Sequence, residues 1–481
     1  MAWGLRLRLR STAAALAVFA AIGMAPSLRA ETIHGALSRA YHANPDLNAQ
    51  RATTRATDEA VPQALSGYRP RVTGTVDTGV VDQTTRTRRS TTVTNQFTGQ
   101  RAFSVNHASV TDDIYGPRGV SVALDQVIYN GGRTGNQVRG AESRVLAARE
   151  TLRNKEQAVL LNAATAYMNV LRDTAILNLR RNSIEVLSTQ LRQTQDRFKV
   201  GELTRTDVAL SEASLAKARG DAYLAESNLK TSIATYRQHV GDEPKKLSPA
   251  QPVEKVLPKS KEAAVAMSQK EHPAIIAALH GVDQQQLQVK VIEGELYPTL
   301  SVRALASRRL DSTGNQQESI VASVVGTLSV PIYEGGAVYS RVREAKETLT
   351  TQRMTVDLQR EAVRQAVVSS WGALETSRAQ IEAAQAQVRA AEIALAGVRE
   401  EAKVGQRTTL DVLTSQQSLL DARVALVSVQ RDRVVASYNV LSAIGRLSLR
   451  TLGIQVAAYD PKVHYEQVRD KWIGVRTPDG Q

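Results

Sequence analysis

The chain is a tandem duplication. The segment QVIYNGGRTGNQVRGAESRVLAARETL from Gln126 returns as SVPIYEGGAVYSRVREAKETLTTQRMTV from Ser329. Tyr129 pairs with Tyr333, and Gly131–Gly132 with Gly335–Gly336. FKVGELTRTDV ending at Val208 pairs with AKVGQRTTLDV ending at Val412, and Gly241 with Gly445, always 204 residues apart. A constant offset makes each copy one structural unit, folded the same way twice. The upstream halves match too, Asn44–Pro45 with His272–Pro273 and Pro70 with Pro298, but 228 residues apart. The 24 extra residues (228 less 204) fall in TTRTRRSTTVTNQFTGQRAFSVNHA of the first copy, where the second has only DSTGNQQE. That composition predicts a polar surface loop, where an insertion disturbs little packing.

Within each copy the apolar period changes. Val72, Gly74, Val76 and Val80 alternate with Arg71, Thr73, Thr75 and Asp77; Val120, Val122 and Leu124 alternate with Ser121, Ala123 and Asp125. The second copy sets Leu300, Val302 and Ala304 against Ser301 and Arg303, then Ile320, Ala322, Val324 and Leu328 against Ser323, Thr327 and Ser329. Period two predicts two strands per copy with one apolar and one polar face. On periodicity alone, a half-buried soluble sheet is the simpler reading.

Downstream the spacing becomes helical. Val138, Ala141, Val145, Ala148 and Leu152 begin a seam that resumes at Leu177, Ile184, Leu187, Leu191 and Phe198. Its counterpart runs through Val342, Ala345, Leu349, Val356, Ile381, Val388 and Leu395. This is coiled-coil spacing. From about Gly135 to Lys199 there is no proline, giving a helix of about 65 residues and roughly 100 Å. Aromatics are only 4% of the chain, which suits closely packed alanine-rich helices better than thick globular cores. Shorter helices over about 33–64 and 206–239, and about 261–295 and 410–443, flank the long ones, so that two short rods stacked end to end match each long rod.

These signals divide the chain into a first repeat over 31–245 (strands about 71–81 and 118–128, long helix about 135–200), an equatorial linker over 246–260, and a second repeat over 261–450. The second repeat carries strands at about 299–308 and 319–330 and a long helix at about 337–403. A C-terminal equatorial tail over 451–481 completes it. Residues 1–30 read as a secretory signal peptide: Arg6, Arg8 and Arg10, an apolar run from Ala13 to Met24, and a small-residue end at Ala30. That run is short of the roughly 20 residues a spanning helix needs.

There is no cysteine, which excludes disulfides and a lipidated N-terminal cysteine. The net charge is +14, and removal of the leader's four arginines leaves +10. The basic residues interleave with acids along the helices, which marks a solvated helix face rather than a nucleic-acid surface. Scarce aromatics point the same way, away from base stacking. The seven histidines lack metal-ligand spacing, GGRTG is too short for a phosphate loop, and no nucleophile motif occurs. The expectation is a protein that is not an enzyme and carries no catalytic, cofactor or metal site.

Four strands cannot close a membrane barrel, which needs about eight, and open strand edges are not tolerated in lipid. If the hairpins enter a membrane, the chain must oligomerise. Two tandem copies of helix, two strands and long helix, with VGELTRTDV from Val200, VGQRTTLDVL from Val404, the YNGG and YEGG junctions and the tail YDPKVHYEQVRDKW, resemble the TolC family of outer-membrane channels. The resemblance covers essentially the whole chain after the leader. It implies a homotrimer: mainly α, with a small twelve-stranded membrane β-barrel and a long periplasmic α-helical barrel. It further implies an exit duct of tripartite efflux and type I secretion systems, in the outer membrane of a Gram-negative bacterium. The implied partners are outer-membrane lipid, a periplasmic adaptor (membrane fusion protein) and an inner-membrane transporter of RND or ABC type, with no nucleic acid and no cofactor.

The resemblance also implies a periplasmic gate. Arg407 stands at the family's gate arginine, Asp207 at the carboxylate it pairs with, and Asp411 at one of two acidic constriction positions. Thr414 occupies the second, and Ala402 the gate-tyrosine position. The adaptor-contact tips are Val200, Gly201, Val404 and Gly405. From the residues alone, Asp207 and Arg407 read equally as capping and turn residues, and the two glycines as helix stops. A reading from another class is a periplasmic coiled-coil adaptor or scaffold that never enters the membrane.

Overall fold

The computed structural model describes residues 30–94, 96–312, 317–478 and 480, with the side chains of 92, 93 and 101–106 excepted. The expected leader over 1–30 therefore lies, but for Ala30, outside the described residues. Ten α-helices and six strands follow in order among them. They are α1 (Ile33–Ala43), α2 (Pro45–Asp58), α3 (Ala60–Leu65), β1 (Arg71–Thr78), β2 (Val81–Thr94), β3 (Arg101–Tyr115), β4 (Arg118–Asn130), α4 (Arg133–Lys199) and α5 (Arg205–Val240). Then come α6 (Lys261–Glu271), α7 (Pro273–Glu293), β5 (Thr299–Leu310), β6 (Glu318–Ser329), α8 (Ala337–Lys403), α9 (Thr409–Ile444) and α10 (Pro461–Val468). Helices α4 and α8 are each 67 residues, and α5 and α9 each 36.

The two short-helix stretches break where proline dictates. Asn44 and His272, each before a proline, take extended backbone, because the proline ring disfavours the helical region for the residue it follows. Asn44 Oδ1 then accepts from the N–H groups of Asp46 and Leu47, capping α2. The stretches expected as single helices over 33–64 and 261–295 are therefore α1–α3 and α6–α7.

The chain forms two compact units. The first comprises residues 1–50, 152–273 and 360–458. Its core is built on Leu37, Leu160, Tyr167, Tyr236, Tyr438, Leu441 and Ile444, all fully buried. Glu31 is fastened there: its carbonyl accepts from the Tyr167 hydroxyl at 2.8 Å, its carboxylate from Tyr236 at 2.5 Å, and Arg39 pairs with it. Burial pushes both tyrosine hydroxyls up to about 12. In the linker, Glu254 receives Arg433 at 2.8 Å and Arg378 at 2.9 Å, and Arg433's hydrogen bond, with Arg378 behind it, holds its carboxyl below the usual range.

The second unit comprises residues 51–151, 274–359 and 459–481. It holds an antiparallel sheet in the order β1-β4-β5-β6 and a separate hairpin β2-β3. The polar insertion is thus not a loop. Fourteen-residue β2 and fifteen-residue β3 pair from Val81–Tyr115 to Thr94–Arg101, since the threonines and valines of the two strands favour a pleated backbone however polar the segment is overall. Glu295 receives Arg341 at 2.6 Å and Arg133 at 3.5 Å, joining the starts of α8 and α4. Val289, Ala345 and Leu349 pack α7 on α8. The tail docks here too. His464 Nδ1 meets the buried Asp58 at 3.0 Å, Arg51 lies 5.2 Å over Tyr459, Arg149 5.0 Å over Tyr465, and Arg69 4.6 Å over Trp472.

Candidate functional site

Two features invite a functional reading, one in each unit: the turns closing the long helices, and the strand face of the sheet.

At each turn the long helix stops on a glycine in left-handed backbone, Gly201 at φ 82° and Gly405 at φ 78°. A side chain there would be strained. The preceding valines, Val200 and Val404, stand 72% and 71% exposed, so each turn presents an apolar knob to its surroundings. The next helix opens with a capping box. Thr204 Oγ1 accepts from Asp207 N–H while the Asp207 carboxylate accepts from Thr204 N–H at 3.0 Å. Thr408 and Asp411 repeat this geometry, also at 3.0 Å. Both carboxyls are held below the usual range, Asp207 by hydrogen bonds from Thr204 and then from the Thr409 hydroxyl, Asp411 by Thr408 and then by the charge of Arg407.

Arg407 does not reach Asp207 within the chain. Its Nε donates to Glu401 Oε2 at 2.8 Å, back across its own turn. Asp207 is already occupied by its cap and reaches toward Thr409 instead. The first turn carries a corresponding staple with the charges exchanged: Arg197 Nε donates to Glu202 Oε2 at 2.8 Å. Position 197 corresponds to 401 at the 204-residue offset, so one long helix ends in the cation and the other in the anion. Sequence reasoning missed Arg197, Glu202 and Glu401. The charge swap between the equivalent positions 197 and 401 could have found two of them, and the Thr-x-x-Asp spacing could have found the caps.

Between the ends of α4 and α8 and the start of α9 lies a groove of about 680 Å³. Arg197, Arg399 and Lys403 line it together with Glu185 and Glu400. Ala402 lies on its wall, and Thr414 is exposed on α9. Beside the groove, Leu187, Leu215, Ala218 and Leu413 join α4, α5 and α9 in one apolar cluster.

The sheet places its side chains by register. Val72, Leu124, Ala304 and Val324 form one cross-strand row, Gly74, Val122, Ala306 and Ala322 the next, and Val76, Val120, Arg308 and Ile320 a third. All lie on one face. Val76 is 83% exposed, Val324 75% and Ile320 74%, far more apolar surface than a soluble half-buried sheet leaves open. The other face holds Thr75 and Ser121, 2.5 Å apart, and Arg303 with Asp125 at 3.6 Å. Strands β1 and β6 are the two edges. Among the described residues no helix is long and apolar enough to cross a membrane.

The family model for outer membrane efflux proteins matches residues 36–242 and 265–446. The outer membrane efflux protein BepC of Brucella suis is 40% identical over 453 residues, 94% of this chain and 93% of its own length. The outer membrane protein TolC of Escherichia coli is 26% identical over 317 residues, 63% of this chain and 64% of its own. The crystal structure of the Campylobacter jejuni CmeC outer membrane channel shares the fold with a TM-score of 0.70 at 17% identity, covering 91% of this chain and 89% of that one. Relatives that are outer membrane proteins displace the reading as an adaptor outside the membrane. With its model matched along both copies, the chain belongs to the outer membrane efflux protein family, the TolC-type channels of the outer membrane.

Proposed function

We propose that three copies of this efflux channel close a twelve-stranded barrel and a continuous helical tunnel, gated at the helix turns. The observation that carries the trimer is the sheet: four strands with one open apolar face and two unpaired edges. In lipid an unpaired edge is prohibitive, and β6 of one copy adding to β1 of the next removes it. Three copies give twelve strands, a closed ring above the minimum of about eight.

In this reading the duct receives cargo from an inner-membrane transporter of RND or ABC type through a periplasmic adaptor, for efflux and for type I secretion. Val200, Gly201, Val404 and Gly405 are the adaptor's contacts, because the turns display exposed valine knobs beside a groove of mixed charge. Arg407, Asp207 and Asp411 form the gate, with the Arg407–Asp207 link made between neighbouring copies and Glu401 as Arg407's alternative partner within one copy. The test is mass and conductance together. The purified protein should run as a trimer by light scattering and give discrete channel steps in planar bilayers. A monomer, or a trimer that never conducts, overturns the proposal.

A further inference from the structure

At the end away from the helices, the apolar strand face gives way to charged side chains. The fourth cross-strand row, beyond Val76, Val120 and Ile320, is Thr78, Arg118, Leu310 and Glu318. Arg308 stands one row earlier on the same face. Arg118 and Arg308 are thus diagonal neighbours on adjacent strands, about 7–8 Å apart at the backbone and within reach of one ligand for side chains this long. Both are exposed. Arg308 also donates to Glu318 at 2.6 Å.

The position along the strand sets what this pair can meet. From Leu300 to Arg308 is eight residues, about 27 Å at 3.4 Å each, or about 21 Å after a tilt of about 40°. The apolar band of a membrane barrel is about 25 Å tall. An arginine facing lipid at the middle of that band costs about 2–4 kcal/mol, and about 0–1 near its edge. Arg118 and Arg308 therefore sit where the hydrocarbon gives way to headgroups. The end is also defined: β4 and β6 run into α4 and α8 at the opposite end of the sheet, so the arginine end is the one away from the helices, in the outer leaflet.

Beyond the band more cations follow. β2 carries Arg86, Arg88 and Arg89, all exposed, and His107 lies directly across from Arg89. The base of that hairpin is pinned to the sheet. Gly116 N–H donates to Asp311 Oδ2 at 3.1 Å, and Asp311 holds a positive φ of 55°, the one such non-glycine among the described residues.

We infer that Arg118 and Arg308, with the arginines of β2 above them, form a binding site for the phosphates of an outer-leaflet phosphoglycolipid, whose acyl chains lie along Val120, Val122 and Ile320. Apolar surface followed by paired guanidinium groups is complementary to a molecule that is acyl chain followed by phosphate. Arginine suits it, since its planar fork binds phosphate with two parallel hydrogen bonds. Glu318 competes with the phosphate for Arg308. This inference rests on the trimeric barrel proposed above.

The test measures lipid A retained by the full-length protein purified as SDS-resistant trimer in detergent, with phosphatidylglycerol and inorganic phosphate as comparison probes. The parent should hold about one lipid A per protomer through washing, not displaced by millimolar inorganic phosphate. Arg118→Gln should lower retention at least fivefold without changing phosphatidylglycerol binding. Glu318→Gln, which frees Arg308, should raise it. Equal retention by all three proteins, or displacement by free phosphate alone, overturns the site. If Arg118→Gln fails to assemble, the Glu318→Gln arm decides, and unchanged or reduced retention there counts against the proposal. A parent that forms no trimer by light scattering refutes the barrel reading, a result distinct from an assembled trimer that ignores lipid A.

Discussion

Arg407 shows how far a residue's role was legible in the sequence. Its place at the turn could be read from VGQRTTLDV, because glycine stops a helix and threonine caps the next. Its partner could not. Glu401 lies six residues back, and only the fold of the turn brings the two to 2.8 Å. If Arg407 exchanges this in-chain partner for Asp207 of a neighbouring copy on closing, Arg407→Ala should raise conductance in planar bilayers. Asp207→Ala should then add little to it, because both remove one interaction. Each such exposed pair is weak by itself, but the proposed trimer repeats it three times. Independent, additive effects on conductance would dismiss the gate assignment. Asp207→Ala also removes half a capping box, so its thermal stability should fall by about 1 kcal/mol, whereas Arg407→Ala should leave stability nearly unchanged.

A second residue-scale consequence concerns acid. Burial, with the charge of Arg153 adding to it, pushes His272 down to about 4, against about 6.5 in an unfolded chain. The unfolded state therefore binds a proton that the folded state refuses between those values. Stability from this site is complete above pH 6.5 and is lost as pH falls toward 4. The depressed carboxyls of Glu254 and Glu271 act in the same direction at lower pH. His272→Gln should flatten the decline in melting temperature between pH 6.5 and pH 4.5 while leaving the steeper loss below it. An unchanged slope would mean that His272 is solvated.

At the scale of elements, the long helices could be read because nothing interrupts them. No proline occurs within the 67 residues of α8, and the apolar seam continues to Leu395, itself buried. The β2-β3 hairpin could not, because Arg88, Arg89 and the threonines carry no apolar face for a period-two signal to report. Its register comes from backbone pairing. Because the hairpin lies at the end of the sheet away from the helices, an epitope inserted near Gln96 should be reached by antibody on intact cells. Labelling only after the outer membrane is opened would reverse the topology. The tail is the other element hidden from the sequence: Asp58 and His464 meet across 406 residues. Asp58→Ala leaves a buried imidazole without its partner and should cost about 1–3 kcal/mol. Trp472→Ala, at a site 67% exposed, should cost only about 0.5–1 kcal/mol. Limited proteolysis of the tail should rank the two variants in that order.

For the whole molecule, the decisive ambiguity in the sequence was between a soluble sheet and a membrane barrel, since alternation serves both. Exposure supports the barrel proposed above: the apolar face of β1, β4, β5 and β6 is open and the polar face is the more covered one. Val122 and Ser121 are adjacent in β4 on opposite faces, which makes them a controlled pair. Val122→Arg puts a cation one row inside Arg308, where it costs more than the about 0–1 kcal/mol of the edge and approaches the about 2–4 kcal/mol of the midplane, and in the proposed trimer three copies must insert together. Ser121→Arg places the same side chain on the polar face beside Thr75, which lines the hydrated lumen of the proposed barrel. Val122→Arg should therefore abolish the SDS-resistant trimer in outer-membrane fractions. Ser121→Arg should assemble at parental levels and change single-channel conductance and ion selectivity. Equal tolerance of the two substitutions would mean that neither face meets lipid, and the barrel would have to be abandoned.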